Sequence, residues 1–259
     1  MSDLRGKVVL ITGGSGGLGD ALGRAFIAAE CRVVLVARSE SRLKSAAARI
    51  GGAAHEVLAL RCDVSRREEI RQLAPRIAEH WGDVQILINN AGMARAASFS
   101  TMADAVWDET LETNLTGAYN CCKAFLPAML RNHWGRIINI ASTAAKIGFS
   151  HASAYSASKH GLLGLTRSLA LETARAGVTV NAICPGYIDD ERTRENVRIM
   201  AEQAGKTDEQ VLEMFAATAP QKRLIEPGEV AALALLMASE KMAAMTGQAV
   251  NIDGGAVMV

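Results

Sequence analysis

A chain of 259 residues, 49% hydrophobic and 21% charged, is long enough to bury roughly 70–75% of its unfolded surface without disulfide or metal staples. Its formal net charge of +1, with acids and bases interspersed, excludes the basic footprint of a nucleic-acid binder. The five cysteines (Cys31, Cys62, Cys121, Cys122, Cys184) lack disulfide-framework or zinc-site spacing and read as reduced core thiols. No apolar run approaches the ~20 residues of a membrane span. The opening MSDLRGKVVLITGG lacks the long apolar region of a signal peptide, so a cytoplasmic location is expected.

Short β-branched runs alternate with helical patterns along the chain. Strands are expected at 7–12, 32–37, 57–62, 84–89, 136–141, 178–184 and 249–252. Helices are expected at 18–29, 41–50, 67–80, 104–130, 153–176 and 229–238. Most strand runs are continuously apolar, as in parallel strands covered on both faces, so the fold class is α/β, a parallel sheet with helices on both sides. No linker or repeat divides residues 1–259, which read as one unit. The irregular stretch 185–227 opens with a Pro-Gly turn, carries a charged run from Asp189 to Arg194, and holds short helical patterns at 197–204 and 208–218. It reads as a substrate-binding lid over about 186–226, because ligands of such sheets bind outside the carboxyl ends of the strands.

The first strand runs into TGGSGGLG at 12–19 and then a helix. Glycines there allow a tight turn and close approach of backbone to a pyrophosphate, which the helix N-terminus attracts. The second strand ends in Ala37, Arg38 and Ser39, where an NAD-selective fold would carry an acid. Arg38 suits a ribose 2′-phosphate, and Ser39 adds a hydroxyl donor, so NADP(H) is the expected cofactor. Gly16 leaves the turn without a second basic side chain, which keeps NAD(H) use open.

Tyr155 and Lys159 lie four residues apart on one helix face. A cation beside a phenol favours phenolate and makes tyrosine a usable acid/base near neutral pH. Ser142 follows a strand's carboxyl end, where its hydroxyl can donate to a substrate oxygen. NNAG at 89–92 ends another strand. Asn114 sits inside a helical pattern, where a disturbed backbone would free a carbonyl for water.

In this order and spacing, TGGSGGLG, Cys62-Asp63-Val64, NNAG, Asn114, Ser142, Tyr155-x-x-x-Lys159, Asn181 and Pro185-Gly186 make the chain similar to the short-chain dehydrogenase/reductase family over essentially its whole length. The resemblance implies a single-domain Rossmann fold with a doubly wound, seven-stranded parallel sheet. It implies that Tyr155 protonates the carbonyl oxygen, Ser142 polarises it, and Lys159 binds the nicotinamide ribose and lowers the Tyr155 pKa. Asn114 would anchor a water linking Lys159 to solvent. Gly13, Ser15, Gly16, Gly17, Leu18 and Gly19 would form the cofactor turn, Asp63 and Val64 would flank the adenine, and Asn90, Ala91 and Gly92 would hold the adenosine side. Pro185 and Gly186 complete the cofactor contacts, with Ile188 at the carboxamide. No metal is required. One departure stands out: the family often has threonine two positions past Ile188, where this chain has Asp190, within Asp189-Asp190-Glu191. A carboxylate there would change the charge near the carboxamide or pyrophosphate; the alternatives are Thr193 as a substitute for the missing hydroxyl or an outward-turned Asp190, and the acids read foremost as the solvated start of the lid.

The stretch 141–171 is similar to β-ketoacyl reductases, polyketide ketoreductases and 3-hydroxyacyl-CoA dehydrogenases. Pocket candidates are Ala94, Ala144, Ala145, Phe149, Ala152, Tyr187, Met200, Met214 and Phe215, mostly small or apolar, which fits a hydrophobic ketone, a 3-oxoacyl thioester or a polyketide better than a sugar. Arg192, Arg194 and Arg198 read either as contacts to a carrier's phosphate or as surface charges. The other readings are an NAD(H)-preferring alcohol or hydroxyacyl dehydrogenase, and a non-catalytic nucleotide-binding sensor, which the retained Tyr155 and Lys159 disfavour. The family resemblance and the apolar helices 104–130 and 153–176 imply a homotetramer.

Overall fold

The computed structural model describes residues 2–51 and 56–259. Among them, β1 (Val8–Thr12), β2 (Arg32–Ala37), β3 (Val57–Arg61), β4 (Ile86–Asn89), β5 (Gly135–Ile140), β6 (Val178–Pro185) and β7 (Ala249–Ile252) form one sheet. Their order is β3-β2-β1-β4-β5-β6-β7, and every pairing is parallel. The direction of winding reverses between β1 and β4, which opens a crevice at their carboxyl ends.

β1, β4, β5 and β6 are buried at every residue, which is why they read as apolar runs rather than alternating ones. Alternation reappears as a choice of face. Val9 and Ile11 pack with Leu22 and Phe26 of α1 (Leu18–Ala28), Leu43 of α2 (Glu40–Ile50) and Met237 of α9 (Pro227–Ala238). Val8 and Leu10 pack on the other face with Ile70 and Leu73 of α3 (Arg67–Trp81) and Phe125 of α5 (Gly117–Arg131). Each of these side chains contributes about 1.5–3 kcal/mol of burial, so the sheet is a rigid platform for the residues at its edge.

Two stretches differ from the sequence expectation. The helix expected over 104–130 is interrupted: α4 (Asp104–Leu111) passes through a π turn, Glu112–Thr116, before α5. The helix re-forms at Gly117, where a Cβ would come within 2.7 Å of Val64 Cγ2, so the chain is drawn against the β3 loop. The lid's first helix begins earlier than expected. α7 spans Glu191–Ala204, so the charged run is its first turn rather than a solvated loop. Asp190 supplies the cap, its Oδ1 accepting from Thr193 N at 2.9 Å. α8 (Asp208–Ala217) packs on α7 through a small core of Val197, Ala201, Val211 and Phe215, apart from the two sheet cores. The two ends of the segment that holds α7 and α8 are joined by a parallel bridge between Ile188 and Ile225. Among the described residues no helix is long and apolar enough to cross a membrane, and no cluster of His, Cys, Asp or Glu is placed to hold a metal.

Candidate active site

The turn after β1 has little spare volume. Gly13 has φ +65°, and a Cβ there would lie 2.9 Å from Ala91 Cα. On Gly19 a Cβ would lie 2.5 Å from the Gly13 carbonyl oxygen. The close approach between the β1 and β4 loops therefore requires glycine. Asn90 holds that approach: its Nδ2 donates to the carbonyls of Thr12 (2.9 Å) and Gly13 (3.1 Å). Thr12 Oγ1 accepts from the backbone N–H groups of Asn90 (3.0 Å) and Ala91 (2.9 Å). The Asn90 side chain thus braces the turn rather than facing a ligand. Leu18 likewise turns its side chain into the core.

A cleft of about 280 Å³ opens over this turn. It is lined by Gly13, Ser15, Gly16, Gly17, Ala37, Arg38, Ser39, Asp63, Val64, Ala91 and Gly92, so the four strand ends β1–β4 bring most of the expected cofactor residues to one place. Arg42, Thr113, Asp190, Glu191, Arg192 and Glu195 also line it and were not among them. Arg42 had a readable signal, since it lies four residues after Arg38, in the first turn of the helix that Ser39 caps. Asp190 was marked only as a departure from the family pattern, and Glu191 and Glu195 carried no signal, because their placement depends on how α7 folds back over the sheet.

Behind Gly92, which lines this cleft, β5 delivers Ser142, the π turn delivers Asn114, and α6 (Ser153–Thr173) delivers Tyr155 and Lys159. Ser142 Oγ accepts from Ala144 N at 3.1 Å, which leaves its proton free to be donated. Lys159 is 4% exposed; its Nζ donates to the Ile140 carbonyl at 2.7 Å and lies 5.7 Å from the centre of the Tyr155 ring. Asn114 spends its amide on the protein. Oδ1 accepts from Met93 N (2.8 Å), while Nδ2 donates to Met93 O (2.9 Å) and Ser158 Oγ (3.0 Å). Gly92 sits among these groups: a Cβ on it would lie 3.3 Å from Asn114 Oδ1 and 3.6 Å from Lys159 Nζ.

The electrostatics differ from the sequence expectation. Burial pushes the Tyr155 phenol up, opposed by the Ser142 hydroxyl and the Arg192 charge. Lys159 is itself lowered to about 7, first by burial and then by the like charge of Arg192. Its remaining hydrogen-bond partner is a neutral carbonyl, which compensates a buried ammonium poorly. Tyr155 is therefore a protonated acid, and Lys159 loses its proton near neutrality. Because the folded value lies below the unfolded one, the folded state is penalised below pH 7 and the penalty fades as pH rises toward 10. Lys159→Met should therefore be more stable than the wild type at pH 7, by about 2 kcal/mol. Urea denaturation should show that gap closing by pH 9.5, whereas parallel stability profiles would contradict this account.

A smaller cavity, about 90 Å³, lies on the lid side, lined by Thr143, Ile147, Phe149, Gly186, Tyr187 and Phe215 among others. Tyr187 and Phe215 stack with ring centroids 4.1 Å apart, tying the β6 loop to α8. Phe149 and Tyr187, both expected in the substrate pocket, are thus brought together. Ala144 is 3% exposed and belongs to the packed wall, displaced from the surface by the tight turn that Ser142 caps. Ala94 is exposed, because its loop runs outward past the Asn114 clamp. Pro185 ends β6 within the sheet, and Gly186 donates to Ile252 O at 2.9 Å. Ile188 is taken up by its bridge to Ile225 and by the core. Arg194 is held by Asp189 through two hydrogen bonds of 2.9 Å, whereas Arg192 Nη1 donates to the Gly92 carbonyl at 3.1 Å.

Residues 7–202 match the short chain dehydrogenase family. The chain is 39% identical over 253 residues to ketoacyl reductase 1 of the granaticin polyketide synthase of Streptomyces violaceoruber, covering 96% of this chain and 92% of that one. It is 34% identical over 252 residues to a D-beta-hydroxybutyrate dehydrogenase of Rhizobium meliloti, covering 96% and 98%. A crystal structure of an actinorhodin polyketide ketoreductase variant with NADPH superimposes with a TM-score of 0.93 at 37% identity, covering 96% of this chain and 97% of that one. The chain belongs to the short-chain dehydrogenase family and is an oxidoreductase.

Proposed function

We propose that the protein is an NADP(H)-dependent ketoreductase that interconverts a ketone and a secondary alcohol, with a 3-oxoacyl thioester or polyketide-like ketone as substrate. The observation that carries this reading is the juxtaposition of Ser142, Tyr155 and Lys159, with Lys159 beside Gly92 of the cleft that Arg38 and Arg42 also line. The glycine-only turn and the two guanidinium groups fit a dinucleotide with a 2′-phosphate. When bound, the reduced nicotinamide supplies the hydride. Ser142, whose lone pair is engaged by Ala144 N, donates a hydrogen bond that polarises the carbonyl oxygen. Tyr155, kept protonated by burial, passes its proton to that oxygen. Lys159 holds the cofactor ribose and restores the Tyr155 proton, while Asn114 anchors the β4 loop and the π turn beside it. In this reading Ala91 and Gly92 pass the adenosine side, Asp63 and Val64 flank the adenine, and Phe149, Tyr187 and the lid take the acyl chain.

The relatives named as ketoacyl reductases and the structural neighbour crystallised with NADPH support the assignment. An NAD(H)-preferring hydroxyacyl dehydrogenase is disfavoured by Arg38 and Arg42; one relative is named a D-beta-hydroxybutyrate dehydrogenase. A single domain with α7 and α8 as its lid, a homotetramer and a cytoplasmic location complete the proposal. The test is kcat/KM for NADPH and NADH across 3-oxoacyl thioesters and simple and cyclic ketones. We expect NADPH to be preferred at least about tenfold and thioesters or bulky ketones to outperform small ones. NADPH binding with no ketone reduced would instead support a sensor.

A further inference from the structure

The lid crosses the cofactor cleft at its first turn, through two residues that touch opposite walls. On one side Arg192 Nη1 donates to the Gly92 carbonyl, in the loop after β4. On the other, the Asp190 carboxylate lies directly against the glycine turn: a Cβ on Gly17 would be 2.5 Å from Asp190 Oδ2 and 3.1 Å from its Cγ. Asp190 Oδ1 is engaged by Thr193 N, so Oδ2 is the oxygen facing the turn. Glu191 Oε2 follows, 3.7 Å from a Cβ position on Gly16. The carboxylate at 190 therefore sits beside the N-terminal ends of both α1 and α7, where backbone N–H groups and the helix dipole favour negative charge. A pyrophosphate in the glycine turn would use the α1 end for the same reason.

We propose that Asp190 is an affinity-setting residue for the cofactor, its carboxylate opposing the pyrophosphate across Gly17 and holding the dinucleotide more loosely than an uncharged side chain would. The inference rests on the NADP(H) reading above. Like charges a few ångströms apart in a half-open cleft repel measurably, and salt screens the repulsion. Glu191 and Glu195 line the same cleft, opposed by Arg38, Arg42 and Arg192, so the sign at the turn is set by the carboxylate nearest to it.

Asp190→Asn isolates the charge, because asparagine caps a helix as well as aspartate and has nearly the same shape. Dissociation constants for NADPH and for 2′-phospho-ADP-ribose, which carries the pyrophosphate but no nicotinamide, would be measured by calorimetry on wild type and variant. An unchanged urea midpoint would show that the lid cap is intact. The expected result is about tenfold tighter binding of both ligands by the variant, shrinking as salt is raised. Unchanged or weaker binding would overturn the proposal. Tightening for NADPH alone would also overturn it, by moving the effect from the pyrophosphate to the nicotinamide. If neither protein binds NADPH, the cofactor reading fails and takes this inference with it.

Discussion

Tyr155→Phe is expected to lower the turnover of ketone reduction by about a hundredfold to ten-thousandfold, the range that a positioned general acid contributes. The substitution removes one oxygen from a half-buried side chain and leaves the ring, so α6 should not move. Ser142 could still hydrogen-bond to the carbonyl oxygen, but the proton that neutralises the alkoxide would be missing. NADPH affinity should stay within about twofold, because the phenol contributes far less than the glycine turn and Arg38 to holding the dinucleotide. Separate measurements of kcat and of cofactor dissociation test both halves. A variant with near-wild-type turnover would remove Tyr155 from the chemistry.

Arg38→Ala is expected to lower kcat/KM for NADPH by about 10- to 100-fold while leaving NADH nearly unchanged. The reason is the loss of a charge-assisted hydrogen bond to the 2′-phosphate, worth about 1.5–3 kcal/mol. Arg42 lies on the same cleft wall and can retain part of the phosphate interaction. Removing both guanidinium groups should therefore equalise the two cofactors or invert the preference. Equal losses with NADPH and NADH would mean that Arg38 supports the fold of the β2 end rather than reading the phosphate.

Much of the architecture was legible in the sequence because the central strands are buried on both faces. Val8–Thr12 and Val178–Pro185 show that burial as unbroken apolar runs, and the intervening helical patterns dictate a parallel sheet. The glycine turn was legible for a similar reason, since close approach to Ala91 admits no side chain at Gly13. The π turn at Asn114 was less so. An asparagine in a helical pattern marked the disturbance, but the cause is tertiary: its amide reaches Met93 and Ser158, one distant in sequence and one on another helix. The charged run at 189–194 was misjudged in the same way. Asp189, Asp190 and Glu191 look like a solvated charge run, yet Asp190 caps α7 and meets Gly17, across more than 170 residues of chain.

The electrostatic expectation for the Tyr155–Lys159 pair depended on spacing alone, and spacing carries no information about desolvation. Four residues on a helix place the ammonium near the ring, but burial at the end of β5 and the nearby Arg192 disfavour its charge. The pair is a protonated phenol beside a lysine that titrates near neutrality.

The most direct measurement of the central claim is isotope transfer. Wild-type protein would be given a ketone it accepts and NADPH carrying deuterium at both C4 positions, in ordinary water, and the alcohol examined by mass spectrometry and proton NMR. Direct hydride transfer with Tyr155 supplying the proton predicts one deuterium on the carbinol carbon and an exchangeable hydrogen on its oxygen. An alcohol without deuterium at that carbon, or the absence of any alcohol from a protein that binds NADPH, would contradict the account.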